Sequence, residues 1–496
     1  MKIKTIKYTL SIVLGLSLTL MSCKKDLELK NEFGLTPTNA FTNLASYSRQ
    51  LSGVYGNFAN PEYYNGYTMI TDVLTDDTYE TSESLVNFNQ IHNWLYDASD
   101  RQRTFFTSMW RIPYNVILQS NYIINGIGNV KSENELVHNR ILGQALASRA
   151  IAHFDVLKAY SDNLDRNSTS LGVPFKSDTR ITFPSRPQVK EVYDSIYSDL
   201  NKAITLLSNV DALINSGTNR GFIDIWGARA ALAKVALYAK DYPTAIQQAS
   251  LLIAQFPLAT RANFPGIWND SRADEVIWAI QNNSGDQGSP FPSADLMSFR
   301  ADRNTFGVLP AFISTYDTTG YGANPAMPIS RDIRFSTYYF VKTVTNGINN
   351  WAIKKYRGKG TAADNLVNFK VFRVAEMYLI RAESNALSNG GDVAANADLS
   401  ALKSARILNY VHTPLAGAAL ISEIAAERRR ELSFEGHRWF DLKRSTRTVN
   451  RSLAGTGNAN PQVQTTLPSI SHRWVWPIPE VELRANTNMQ PNPGYN

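Results

Sequence analysis

Between Trp226 and Pro257 the chain reads WGARAALAKVALYAKDYPTAIQQASLLIAQFP, a stretch that leaves few architectures open. Apolar residues recur at three- and four-residue steps on both sides of the tetrapeptide KDYP, the period of two amphipathic helices meeting at a turn. Small residues fall where two paired helices must approach closely. One such pair cannot bury its own apolar face, so further helices must stack on it.

The spacing matches the tetratricopeptide pattern of about 34 residues. Leu232 and Ala233 take the contact positions of the first helix, and Ala245, Ala249 and the closing Pro257 take those of the second. A generic helical hairpin is the plainer alternative. The stretch FRVAEMYLIRAESNALSNGGDVAANADLSALKSARI, Phe372 to Ile407, reads as a second unit with Gly390 and Gly391 at its corner. Leu136, Ile141, Leu142, Leu146, Ile151, Phe154 and Leu157 mark another helix, and Val192, Ile196, Leu200 and Ile204 another. Residues 107–127 add one more. A chain of 496 residues would by length divide into several domains, but repeats extend one core without starting a new one. The predicted class is mainly all-α.

Two segments depart from this pattern. Residues 58–100 and 281–350 are rich in Gly, Pro, Ser and Asn with aromatics interspersed. Loops this long inside a folded body are functional or disordered, and the aromatic content argues against disorder. Function belongs on these loops, and the helices carry them.

The N-terminus sets the compartment. Lys2, Lys4 and Lys7 precede the uncharged run Tyr8–Met21, shorter than the ~20 apolar residues that span a bilayer and fitting a secretory signal over residues 1–22. It ends in LMSC, and Cys23 is the single cysteine of the chain, so no internal disulfide is open to it. Leu-x-Ser-Cys resembles a bacterial lipobox, whose cysteine is acylated and becomes the first mature residue. Acyl chains hold to a bilayer at ~0.8 kcal/mol per buried methylene. An ordinary signal peptide cut nearby is the alternative. The formal charge of +7 falls to +4 once the three leader lysines are gone. Nothing gathers that charge into a nucleic-acid stripe.

The most chemically loaded stretch is ERRRELSFEGHRWFDLKR, Glu427 to Arg444. As one helix from Ile421 to about Phe434, it aligns Glu427, Glu431 and Glu435 on one stripe beside Arg428, Arg429 and Arg430. His437 and Asp441 repeat the four-residue spacing just beyond, and Gly436 is a natural stop. A glycosidic acid pair must face across a sugar, whereas these acids point the same way and the arginines would keep them ionised. Zinc needs more than one well-placed histidine, and the next, His472, is distant. Ion pairs between packed helices are the reading these residues favour, with Glu427, Arg428, Glu431 and Glu435 in a structural role.

This motif, followed by WVWPIPEVELRANTNMQPNPGY at the C-terminus, resembles the hallmark of the SusD/RagB family. MWRIPYNVILQSNYIING, ALASRAIAHFDVLKAYSD and FRVAEMYLIRAESNAL resemble three further helices of that family, and Asp26 and Glu28 its surface-export signal. The resemblance implies four tetratricopeptide-like helix pairs with a loop-rich part packed on them, and parts divided as 1–22, 23–260 and 261–496. It implies an outer-membrane lipoprotein facing the exterior, which captures a glycan and passes it to a SusC-like TonB-dependent transporter without catalysis. No cofactor is expected. Within the loops, Tyr79, Trp94 and Tyr96 with Asp76 and Asp77, and Phe291, Phe299, Arg300 and Phe306, are the candidate ligand residues. Core packing is the alternative for each aromatic. TDVLTDD, Thr71–Asp77, is also open to a helix cap or a structural calcium held by oxygen ligands. Two alternatives to glycan capture stay open. A peptide ligand calls for a cleft exposing backbone groups, and a secreted hydrolase for two acids facing across a cleft.

Overall fold

The Asp224 carboxylate accepts the backbone N–H groups of Trp226 and Gly227 at 3.0 and 2.9 Å, starting the helix Ile225–Tyr238. Asp241 does the same for Thr244 at 3.3 Å, and Pro243 sits in the first turn of Tyr242–Gln255. Both ends follow from chemistry. Short polar side chains satisfy the unpaired N–H groups, and proline costs nothing where its missing N–H would be unpaired anyway.

The computed structural model describes residues 40–495 except 65, 67, 69–70, 85–88, 100–104, 131–133, 210–213, 283–304, 322–328, 344–346, 348, 361–365 and 389. The helices include α1 Leu44–Phe58, α2 Phe105–Gly126, α3 Glu135–Tyr160, α4 Val189–Leu207, α5 Ile225–Tyr238, α6 Tyr242–Gln255, α7 Val374–Ala386, α8 Asp392–Arg406, α9 Gly417–Glu431, α10 Arg438–Arg444 and α11 Glu480–Ala485. They stack as four pairs, α1/α2, α3/α4, α5/α6 and α7/α8, each packed on the next, with α9 closing against α7. Ala230, Ala231, Ala233 and Ala236 are buried in α5 and Ala245 and Ala249 in α6, the close approach expected of small residues. Ala382, Ala395, Leu399, Leu420 and Ile424 join α7, α8 and α9 in one apolar cluster. The predicted class holds: the scaffold is helical and tetratricopeptide-like.

Short antiparallel strand pairs fasten the loop-rich part. Thr78–Glu80 (β1) pairs with Phe306–Val308 (β3), Val276–Ile280 (β2) with Phe369–Arg373 (β6), and Tyr339–Thr343 (β4) with Asn349–Ile353 (β5). β1 and β3 bring the two long loops of the sequence together, with Tyr79 opposite Gly307. A Cβ at Gly307 would lie 2.5 Å from the Tyr79 ring, so only glycine lets that ring cross the strand. Residues 43–496 form one compact unit, and the expected boundary at 260/261 runs inside it.

Candidate functional site

The loaded motif forms a buried network of ion pairs. α9 ends at Glu431, so Glu427 and Glu431 share a helix face while Glu435 lies in the following turn. This differs from the single stripe expected. The chain leaves the helical path after Glu431 and passes through Phe434 at φ +62°, and Gly436, at φ +77° with Thr68 O 2.6 Å from where a Cβ would sit, lets the turn close against Thr68. The turn brings Glu435 to cations that the helix could not reach.

Three arginines from three distant segments converge on Glu431. Arg334, from the short helix Ile333–Tyr338, donates to it at 3.1 Å, Arg373 of β6 at 3.1 Å, and Arg406 of α8 at 3.0 Å. Arg334 also meets Glu427 at 2.6 Å and Asp332 at 2.8 Å. Arg373 and Lys355 hold Glu435, both at 2.7 Å, and Arg406 reaches Glu275 at 2.6 Å. Arg428 holds Asp441 at 2.8 Å. Burial would raise the Glu427 carboxyl, but Arg334 and Arg430 outweigh it and bring it down to about 2. Burial likewise opposes ionisation of Glu431 and Glu435, and their cations again prevail, leaving both lowered. None can act as a general acid near neutral pH. His437 is buried among Lys234 and Arg428, and burial with those charges pushes it well below its usual value.

The described loop residues nominated from the sequence are engaged within the fold. Tyr79, Trp94, Tyr96 and Phe306 are buried, and their polar atoms are engaged within the protein. The Tyr79 hydroxyl lies 3.0 Å from Asn350 Oδ1 and 3.1 Å from Asn458 Oδ1. The Trp94 indole N–H donates to Leu74 O at 3.0 Å, with the Arg451 guanidinium over its ring at 4.1 Å. Tyr96 donates to Arg473 O and packs on Phe106, and Phe306 packs near His92. Asp76 is gripped by Arg438 at 2.9 and 2.8 Å, and Asp77 by Arg429 at 2.6 Å. Within the calcium candidate Thr71–Asp77, two carboxylates are therefore committed to guanidinium groups. Among the described residues no three His, Cys, Asp or Glu side chains gather as metal ligands. Phe291, Phe299, Arg300 and Cys23 lie outside the described residues.

What the loop-rich part presents instead is an aromatic edge that the sequence reading did not single out. Trp351 of β5 and Tyr321 are half-buried, with ring centroids 6.1 Å apart. Both rest on the buried Phe335, at 5.1 Å from Trp351 and 4.9 Å from Tyr321. Val341, opposite Trp351 in the hairpin, is 42% exposed. The next residue inward, Asn350, is buried and bound by Tyr79. Tyr79 thus fixes the hairpin that presents Trp351. Alternation along β5 was the signal available, since neighbours in a strand face opposite ways.

The molecule is thus a stacked helical scaffold with a loop-rich part clamped on it by buried ion pairs. A family model described as SusD family matches residues 270–495, and one described as "Starch-binding associating with outer membrane" matches residues 28–237. The chain belongs to the SusD/RagB family. SusD-like protein P2 of Formosa agariphila is 24% identical over 99% of this chain and 100% of its own, and SusD-like protein P38 of the same organism 23% identical over the whole of both. Among solved structures, a SusD superfamily protein from Bacteroides thetaiotaomicron superposes with a TM-score of 0.79 at 21% identity, covering 91% of this chain and 100% of its own. A SusD-like carbohydrate binding protein from Bacteroides vulgatus gives 0.75 at 22% identity, covering 90% and 98%.

Proposed function

We propose that the protein is a glycan-binding lipoprotein of the outer membrane that captures an oligo- or polysaccharide without cleaving it. The Tyr321–Trp351 edge carries this reading. Two half-exposed rings held on a buried third suit the apolar face of a sugar ring, and the fixed hairpin pre-organises them. The starch-binding description of the matching family model and the carbohydrate-binding relative support the same ligand class. The motif chemistry supports capture without cleavage, since Glu427, Glu431 and Glu435 are all spent on cations. Acylation at Cys23 would tether the protein, facing outward, beside a SusC-like TonB-dependent barrel that receives the glycan.

The test is affinity electrophoresis of the chain from residue 24 through gels containing starch, xylan, β-glucan or mannan. At least one polysaccharide should retard the protein, and Trp351→Ala should markedly weaken the retardation. A Trp351→Ala protein retarded as strongly as the wild type contradicts the assignment of the site.

A further inference from the structure

The helical scaffold carries a second concavity, of about 530 Å³, between α2, the segment 174–184 and α11. Trp110 and Tyr114 of α2 line it, their rings 5.1 Å apart and tilted by 45°. The opposite wall has no regular structure but is firmly held. Asn121 donates to the carbonyls of Lys176 and Asp178 at 3.1 and 3.0 Å, and Asn125 to that of Ser177 at 3.0 Å. The Lys176 N–H donates to His153 Nε2 at 3.0 Å, and Phe175 stacks on the same imidazole at 4.0 Å. At the rim, Ile181 is 90% exposed and Val481 62%.

Two observations narrow what fits. The cations around the cleft are all paired: Arg111 with Glu62 at 3.3 Å, and Lys176 and Arg180 with Asp178 at 3.3 and 2.8 Å. An anionic ligand would have to displace these partners. Most of the wall's carbonyls are also engaged. Pro174 O accepts from Tyr114, Arg180 O from Lys176, Phe183 O from Asn488 and Pro184 O from Asn486, as do the three carbonyls already named. A peptide adding itself as a strand would find few acceptors there. What is left is aromatic and aliphatic wall with a few polar side chains, Thr107, Asn115 and Glu482. That is the make-up of a small-ligand site, and it suits a ring with an apolar face and hydroxyl edges.

We propose that this cleft is a second saccharide site, taking one or two neutral sugar units. The inference rests on the glycan-binding reading above but concerns a different surface.

Because Cys23 is the only cysteine, Cys23→Ser yields a thiol-free protein in which a reporter can be placed. Ile181→Cys at the rim is alkylated with a fluorescent maleimide, with and without maltoheptaose, cellohexaose, xylohexaose or laminarihexaose. Calorimetry on the parent protein determines which of these binds. The binding oligosaccharide should slow alkylation at least fivefold, also in the Trp351→Ala background, and leave an Ile470→Cys control unchanged. An unchanged rate at Ile181→Cys with calorimetric binding intact overturns the cleft and spares the proposed function. Absence of binding by all four, with no retardation in any polysaccharide gel, overturns both. Protection by a casein digest but by no sugar identifies a peptide cleft and overturns the saccharide assignment.

Discussion

Arg406 and Glu431 meet at 3.0 Å, both wholly buried, the first at the end of α8 and the second at the end of α9. Arg334 and Arg373 reach the same carboxylate. Removing one member of such a group leaves its partners charged and dry, which costs about 3–5 kcal/mol. Glu431→Gln, and to a similar extent Glu427→Gln, should lower the melting temperature by ~5–10 °C. Glycan affinity of the folded protein should stay within twofold. Calorimetric melting and binding titrations check both halves, and retained stability with lost binding would give these glutamates a direct role.

Glu427 also has a pH signature. Its folded carboxyl sits at about 2 because Arg334 and Arg430 overcome burial, against about 4.3 for an unfolded glutamate. The stability it contributes is complete above the unfolded value and is lost as pH falls through the folded one. The gap in urea midpoint between wild type and Glu427→Gln should therefore be constant above about pH 5 and shrink toward pH 2. A gap that stays constant down to pH 2 refutes the assignment.

Tyr79 links the two loops through Asn350 and Asn458. Tyr79→Phe removes the hydroxyl and leaves two buried amides short of a partner, which should cost about 1–2 kcal/mol by urea unfolding. Glycan affinity should weaken less than in Trp351→Ala, because the aromatic edge is displaced rather than deleted.

Trp351 should bind without supporting the fold heavily, being half-buried at the edge of a hairpin. Trp351→Ala should weaken glycan binding at least tenfold, equivalent to about 1.4 kcal/mol. Trp351→Phe, which keeps a ring on Phe335, should retain most of the affinity. Equal losses in the two variants would mean that the ring's face is not what the ligand contacts.

The helices were legible because their evidence is local. The alanines of α5 and α6 and the caps Asp224 and Asp241 act within a few residues of where they stand. The structural role of Glu427 and Glu431 was legible for the same reason, from the arginines beside them. The partners were not: Arg334, Arg373 and Arg406 come from far along the chain. Nor could composition tell a ring facing ligand from one facing the core. The hydroxyl of Tyr96 is satisfied by the carbonyl of Arg473, a pairing no local pattern announces. Glu435 escaped the helical stripe because α9 ends at Glu431 and Phe434, in the left-handed region at φ +62°, turns the chain before it.

The central claim is capture without cleavage, and one incubation addresses it. The purified chain from residue 24 is held with a polysaccharide that retards it in affinity gels. Bound ligand is then measured by calorimetry, and reducing ends are measured over a day at 37 °C. Saturable binding and a polysaccharide of unchanged chain length are expected. New reducing ends that disappear in Glu427→Gln or Glu431→Gln would contradict the claim.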